Sequence, residues 1–243
     1  MNVAFVHGRN SRLLLHAVAF SGYLKAFERS TEVEMADSTV FGDQGHRFIP
    51  GLESGTLSLD GLLDTVTTAG SQDATLDGAL QASSTSVITA GVAGLALGAR
   101  VYMIEARETN YAITAPVGDA VSFSSSWQSD GQVDHGLSLL DVTAITVTAN
   151  GTSVDNGALT TGGAAATLHV TANTRDGTLV VKVQHSVDNS VWVDLITFTT
   201  VGAGTTTAER VAVSGTVNRY LRHTRTVAGT TGSITIQNSA ARR

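Results

Sequence analysis

The sequence predicts a mainly β protein in two parts, the first carrying one short helix and the second an immunoglobulin-like or jelly-roll β-sandwich. Three observations predict it. Charged residues make up only 15% of the 243 positions and there are 2 prolines, while Gly, Thr, Ser, Ala and Val abound. That mixture is poor in helix formers and rich in β-branched and turn residues. Apolar and polar residues alternate with period two in many short segments, as half-buried strands require. Turn-forming clusters separate those segments at short intervals, the spacing of antiparallel sandwiches. The length suffices for two modest domains that each bury a core.

Taken in order, Arg9 and Arg12 precede LLLHAVAF. The run is short and His16 interrupts it, so a strand is the reading preferred to a secretion signal. From Tyr23, Phe27, Val33 and Met35 fall on one face of a strand, with Glu28, Ser30, Glu32 and Glu34 on the other. The segment GTLSLDGLL repeats the theme, Leu57, Leu59 and Leu63 opposing Thr56, Ser58 and Asp60. The two form an antiparallel pair joined by a long connection over residues 41–53, with the second strand over 55–63. That connection carries Phe41, Phe48, Ile49 and Leu52, apolar side chains with nothing local to bury against.

QDATLDGALQA (72–82) is the helix candidate, with Leu76 and Leu80 spaced to form a short apolar stripe. Strands follow at SVIT, ARVYMIEA, NYAIT and AVSFSSSW, where Val121, Phe123 and Trp127 share a face. RVYMIEA is apolar on both sides, as a central strand should be. A stretch dense in Gly, Asn, Thr and Ala at 149–165 marks a change of organisation, and the boundary is placed near residue 143, giving parts 1–143 and 144–243. The second part continues with ATLHVTA, TLVVKVQHS, VWVDLITFT, ERVAV, YLRHTRTV and SITIQ, with Trp192 and Phe198 as expected core anchors.

Net charge is −6 and unevenly divided. Residues 1–150 hold 7 Lys/Arg against 16 Asp/Glu, and residues 151–243 hold 8 against 5. So acidic a first part argues against clamping nucleic acid by counterion release. The absence of cysteine excludes disulfides and thiolate chemistry and suits a reducing compartment. No segment approaches the ~18 apolar residues of a membrane span. The seven histidines show no metal-ligand spacing, there is no nucleophile elbow, and the glycines of GVAGLALGAR lack a phosphate-loop setting. Asp130 and His135 lie among serines, but turn-rich β sequence explains them better than a triad. Asp188-Asn189-Ser190 reads as a tight turn. No catalytic residue, cofactor or metal is expected.

The stretch TVFGDQGHRFIPGLESGTLSLDGLLD (39–64) resembles a segment of the tail tube (major tail) proteins of long-tailed bacteriophages. SGYLKAFERSTEVEMADS before it is similar to that family's short turn and first long strand. GLALGARVYMIEARETNYAITAPVGDAVSFSSSWQSDGQVDHGLSLL is similar to its second half. LHVTANTRDGTLVVKVQHSVDNSVWVDLITFT through AERVAVSGTVNRYLR resembles a sandwich module appended to tail proteins of related phages.

The resemblance implies a tail-tube-type β-sandwich or barrel domain over 1–143, forming ring and lumen, and a β-sandwich over 144–243 on the tube exterior. Such a chain is a virion structural protein that self-assembles into stacked hexameric rings, a conduit for DNA ejection. Its loop Phe41, Gly42, Asp43, His46, Arg47, Phe48, Ile49, Pro50, Gly51 and Leu52 would reach the neighbouring ring. Glu28, Ser30, Glu32, Glu34, Thr56, Ser58 and Asp60 would face the lumen, where acids repel passing phosphates. Implied partners are further copies of the chain, the tape measure, tail terminator and tail tip proteins, with DNA passing unbound and without membrane insertion. The implied location is the virion tail, and the host cytoplasm during assembly. An outer domain fits poorly beneath a contractile sheath, which points to non-contractile tails. The alternative is a bacterial surface or secreted binding module whose C-terminal sandwich holds a glycan, for which Trp192 and Tyr220 are the aromatic residues at hand. Under the tail reading the same domain would make at most weak contact with cell-surface glycans.

Overall fold

The computed structural model describes residues 6–64 and 71–243. In chain order the strands are β1 (Arg12–Leu15), β2 (Val18–Ala19), β3 (Leu24–Asp37), β4 (Phe48–Leu62), β5 (Ser86–Gly91), β6 (Arg100–Thr114), β7 (Ser122–Ser129) and β8 (Asp134–Ile145). They continue as β9 (Ala149–Asn150), β10 (Val154–Asp155), β11 (Ala164–Asn173), β12 (Leu179–Ser186), β13 (Val193–Thr197), β14 (Thr207–Val213), β15 (Tyr220–Val227) and β16 (Ile234–Arg242). The helix α1 spans Gln72–Gln81. Among the described residues the protein is therefore mainly β with a single α-helix.

Two compact units interleave along the chain. One contains the residues up to Gly22 together with Ser86–Met103 and Asp134–Arg243, and the other contains Tyr23–Thr85 and Ile104–Val133. Residue 143 lies inside β8. β6 serves both units, because RVYMIEA and NYAIT form one continuous strand rather than two.

The first unit is a sandwich. Its larger sheet runs β14-β11-β16-β8-β6-β5-β1-β2, and its smaller sheet runs β10-β15-β12-β13 with β9 on β15. Alternation explains how the two meet. Leu139, Ala166, Leu168 and Ile236 of the larger sheet share one core with Val181, Val183, Ile196 and Leu221 of the smaller. The opposite side of the larger sheet is also covered, and Thr89 on β5 reaches Thr167 (3.0 Å) and His169 (2.8 Å) on β11. The strand path has two free ends, β14 and β2, so no closed barrel forms among the described residues.

Phe198 is a core anchor as expected, but Trp192 is not. Val183 pairs with Ile196 while Gln184 pairs with Asp194, leaving Leu195 as an extra residue. That bulge inverts the inside–outside phase of β13. Trp192 therefore lies partly exposed beneath the guanidinium of Arg222, 4.1 Å from the ring centre.

The second unit is an antiparallel sheet ordered β3-β4-β7-β6, with α1. Ser71 caps the helix, accepting from the Ala74 amide at 3.3 Å, and Asp73 occupies the favourable first turn. Leu76 is fully buried, whereas Leu80 is 41% exposed, so the expected two-residue stripe has one member. Beyond the helix, Leu57, Leu59, Phe123 and Trp127 are buried on one face of the sheet. Their neighbours Thr56, Ser58, Asp60, Ser122, Ser124, Ser126 and Gln128 lie on the other.

Candidate functional site

The β3–β4 hairpin is the feature that stands out physically. β4 begins at Phe48, not Gly55 as its sequence suggests, so the hairpin is long and the second part of the expected loop, from Phe48 to Glu53, is strand while 41–47 remains the connection. Pro50 and Gly51 read as loop punctuation, but a bulge accommodates them. Val33 pairs with Glu53 and Met35 with Pro50, so Gly51 and Leu52 together oppose Glu34. A side chain at Gly51 would press on Glu34, whose carbonyl oxygen and Cβ both lie 3.3 Å from the Cβ position.

At its base the hairpin belongs to a full sheet, for β4 pairs with β7 from Thr56 to Leu62. Beyond Thr56 the ribbon has, among the described residues, only its own two strands. The face that carries Phe27, Leu57 and Leu59 at the base carries Val33, Met35, Pro50 and Phe48 toward the tip. There it is uncovered: Val33, Met35 and Phe48 are exposed, and so are Ile49, opposite Ala36 on the other face, and Leu52 in the bulge, the last at 78%. Two-stranded ribbons are marginal in water, and exposed apolar rows usually mark an interaction surface.

The tip is nonetheless ordered by its own hydrogen bonds. The Ser38 amide donates to the Arg47 carbonyl at 2.8 Å, and the Arg47 amide to Thr39 Oγ1 at 3.0 Å. The Asp43 amide donates to the Val40 carbonyl at 3.1 Å, and Gly42 adopts a φ of 106°, a conformation that favours glycine. Asp37 receives the Thr39 hydroxyl and amide, which hold its carboxyl below the usual range. His46 Nδ1 stands 3.5 Å from Asp37, its ring stacks on Phe48 at 6.0 Å, and Arg47 faces Asp43 at 3.8 Å. Phe41 is bare at the turn.

The other face gathers the expected acidic row. Glu28 pairs with Ser58, Ser30 with Thr56, Glu32 with Ser54 and Ala26 with Asp60, so these side chains share one surface. β7 extends it with Ser122, Ser124 and Ser126, opposite Leu62, Asp60 and Ser58. Sequence reading recognised those serines as a strand face without finding its neighbour, because a pairing partner leaves no local signal. Arg107, in the row of Gln128 and Thr56, is tied to Asp130 at 2.9 Å.

That contact also separates Asp130 from any triad, and the His135 ring packs on Tyr102 instead. Among the described residues, no group of three or more His, Cys, Asp or Glu is placed to hold a metal ion. The buried His169 bonds Thr89 and the His16 carbonyl (2.7 Å), and burial pulls its pKa down to about 4. The Asp188 carboxylate closes a turn on the amides of Ser190 and Val191, which holds it well below the usual range.

Sequence reading missed Glu108. It faces Trp127 across the β6–β7 pair and is 7% exposed. Ser125 Oγ donates to its Oε1 at 2.6 Å, while Oε2 and the Trp127 indole N–H have no hydrogen-bond partner among the described residues. Burial pushes its carboxyl up to about 7; the Ser125 hydrogen bond opposes the rise and the Asp77 charge adds to it. A folded pKa above the unfolded value of 4.5 means that the folded state holds the proton more tightly. This contribution is fully present below about pH 4.5, is lost as pH rises to about 7, and is level above. Glu108→Gln is therefore expected to flatten the fall in heat stability over that window, a difference on the order of 2 kcal/mol at pH 8. Thermal unfolding of both proteins at pH 5 and pH 8 measures it, and equal slopes would contradict the assignment.

No protein-family model matches the chain, and no curated protein sequence matches it. Among solved structures, a chain of the virion of the native gene transfer agent particle is 14% identical, with a TM-score of 0.43. The match covers 53% of this protein and 97% of that chain. The Dit protein of phage SPP1, described as a paradigm of hub adsorption apparatus in phages infecting Gram-positive bacteria, is 14% identical with a TM-score of 0.38. That match covers 94% of this protein and 98% of Dit. A chain of the phage p2 baseplate in its activated conformation is 6% identical, covering 96% and 98%, with a TM-score of 0.35. These are distant likenesses of fold to tail, baseplate and gene-transfer-agent proteins.

Proposed function

We propose that the protein is a noncatalytic structural subunit of a phage tail tube, assembling into stacked, hexameric rings that conduct DNA. The observation that carries this reading is the β3–β4 ribbon, whose outer half lacks a third strand among the described residues and exposes Val33, Met35, Phe48, Ile49 and Leu52. A second copy is the natural cover. Head-to-tail contacts between identical subunits close into rings or continue into filaments. Among the described residues the outer edge of β3 has no strand beside it, and such an edge is a template for pairing with another subunit.

The acidic, hydroxyl-rich face supports the conduit part of the proposal. With Glu28, Glu32 and Asp60 in one row, it would repel phosphates at short range and let DNA slide without counterion-driven adhesion. In this reading residues 144–243 face outward, the location is the virion tail, and the tape measure, terminator and tip proteins complete the assembly. The test is direct. Purified protein at rising concentration is expected to show rings or tubes by negative-stain electron microscopy, and a monomer that persists into the millimolar range would overturn the proposal.

A further inference from the structure

We propose that a cavity of about 250 Å³ on the first unit is a binding site for a small phosphate group, free or esterified. The inference is independent of the tail tube reading. The cavity lies where β6, β8 and β16 run side by side. Arg100 pairs with Leu137, Leu137 with Ala240, and His135 lies two residues before Leu137 and Arg242 two after Ala240. Strand alternation therefore sets Arg100, His135 and Arg242 on one face of three adjacent strands. All three line the cavity, with Asn156 and Thr160.

Two of these side chains bring charge that nothing among the described residues cancels directly. Arg242 is fixed by hydrogen bonds to the carbonyls of Ala158 and Asn156, the latter at 2.9 Å. Carbonyls orient a guanidinium without neutralising it. Burial lowers the Arg242 pKa, and the Asp155 charge offsets part of that, but Asp155 is itself clasped by Arg219 through two 2.6 Å bonds. The Arg100 side chain is exposed and engages no hydrogen bond or ion pair among the described residues. Thr160 adds a buried hydroxyl without a partner, held in place by a backbone pair with Val217. The acid nearest in sequence, Asp134, is satisfied elsewhere by Arg210 and Arg243.

Donors on separate strands converge from several directions, which matches a tetrahedral dianion better than a planar carboxylate. At about 30 Å³ per water, the volume admits a phosphate with a small organic substituent. It offers no basic track or stacking aromatics for a polynucleotide.

Isothermal titration of the full chain with inorganic phosphate, glycerol 3-phosphate and acetate, at low and matched ionic strength, tests the site. Both phosphates are expected to give saturable binding, and acetate none. Arg100→Gln, which replaces an exposed side chain without a partner among the described residues, is expected to keep the unfolding temperature and weaken binding at least tenfold. Preference for glycerol 3-phosphate would identify an ester as the ligand, and equal affinity would identify the phosphate group itself. No saturable heat with either phosphate, equal binding of acetate, or unchanged affinity in Arg100→Gln would each overturn the proposal.

Discussion

Leu52→Asp is expected to leave the subunit folded and to stop its assembly. The side chain is 78% exposed at a bulge, so its replacement removes little packing within the chain. Exposed substitutions of this kind change stability by about 0.5 kcal/mol or less. In an assembled ribbon the same position would be covered. Burying leucine there contributes roughly 1.5–3 kcal/mol, and a carboxylate taken out of water without a partner costs several more. Glu34, opposite the bulge, adds like-charge repulsion. A loss of about 4 kcal/mol per contact raises the concentration needed for growth roughly a thousandfold. Phe48→Asp, at 53% exposure on the uncovered apolar face, is expected to behave in the same way. Sedimentation and electron microscopy report assembly, and the thermal unfolding curve reports folding. Tubes forming at the wild-type concentration would remove the hairpin from the mechanism, and a lowered unfolding temperature would assign these residues to the fold instead.

The base of that hairpin was legible from sequence and its tip was not. At the base, Leu57 and Leu59 alternate with Thr56, Ser58 and Asp60, and period two is all that a half-covered strand needs. Toward the tip, Pro50 and Gly51 carry the marks of a turn, and only the bulge opposite Glu34 lets a strand continue through them. The same physics misled the reading of Trp192. Counting back in twos from the buried Phe198 and Ile196 places Trp192 inside, and one extra residue at Leu195 turns it outward. Bulges are set by the partner strand, so period counting cannot see them. Glu108 was hidden for a related reason. Its neighbours Ser125 and Trp127 come from another strand, and burial of an acid depends on what covers it. The acidic row was legible because a run of glutamates at every second position needs only one strand to declare itself.

Asp134→Ala is the substitution expected to damage folding most. Asp134 is 2% exposed and opens β8. Its carboxylate receives Arg210 from β14, through Nε at 3.1 Å and through Nη2, and Arg243 through Nε at 2.8 Å and Nη2 at 3.1 Å. One acid thereby joins β8 to β14 and to the residue that follows β16. Pairs of this sort add little net stability over an apolar replacement, but breaking one side is costly, about 3–5 kcal/mol, because the remaining charges stay buried and uncompensated. Here the Arg243 guanidinium, with its side chain 21% exposed, would lose its carboxylate, and Arg210, 10% exposed, would lose one of its partners. Against a total stability of roughly 5–15 kcal/mol, that loss lowers the unfolding temperature by about 10 °C. Asp134→Asn, which keeps the size and one carbonyl acceptor, is expected to lose less. The comparison separates charge from shape: if Asn costs as much as Ala, the charge dominates, and if neither costs more than about 1 kcal/mol, the two arginines find other partners and the cluster does not hold these strands together.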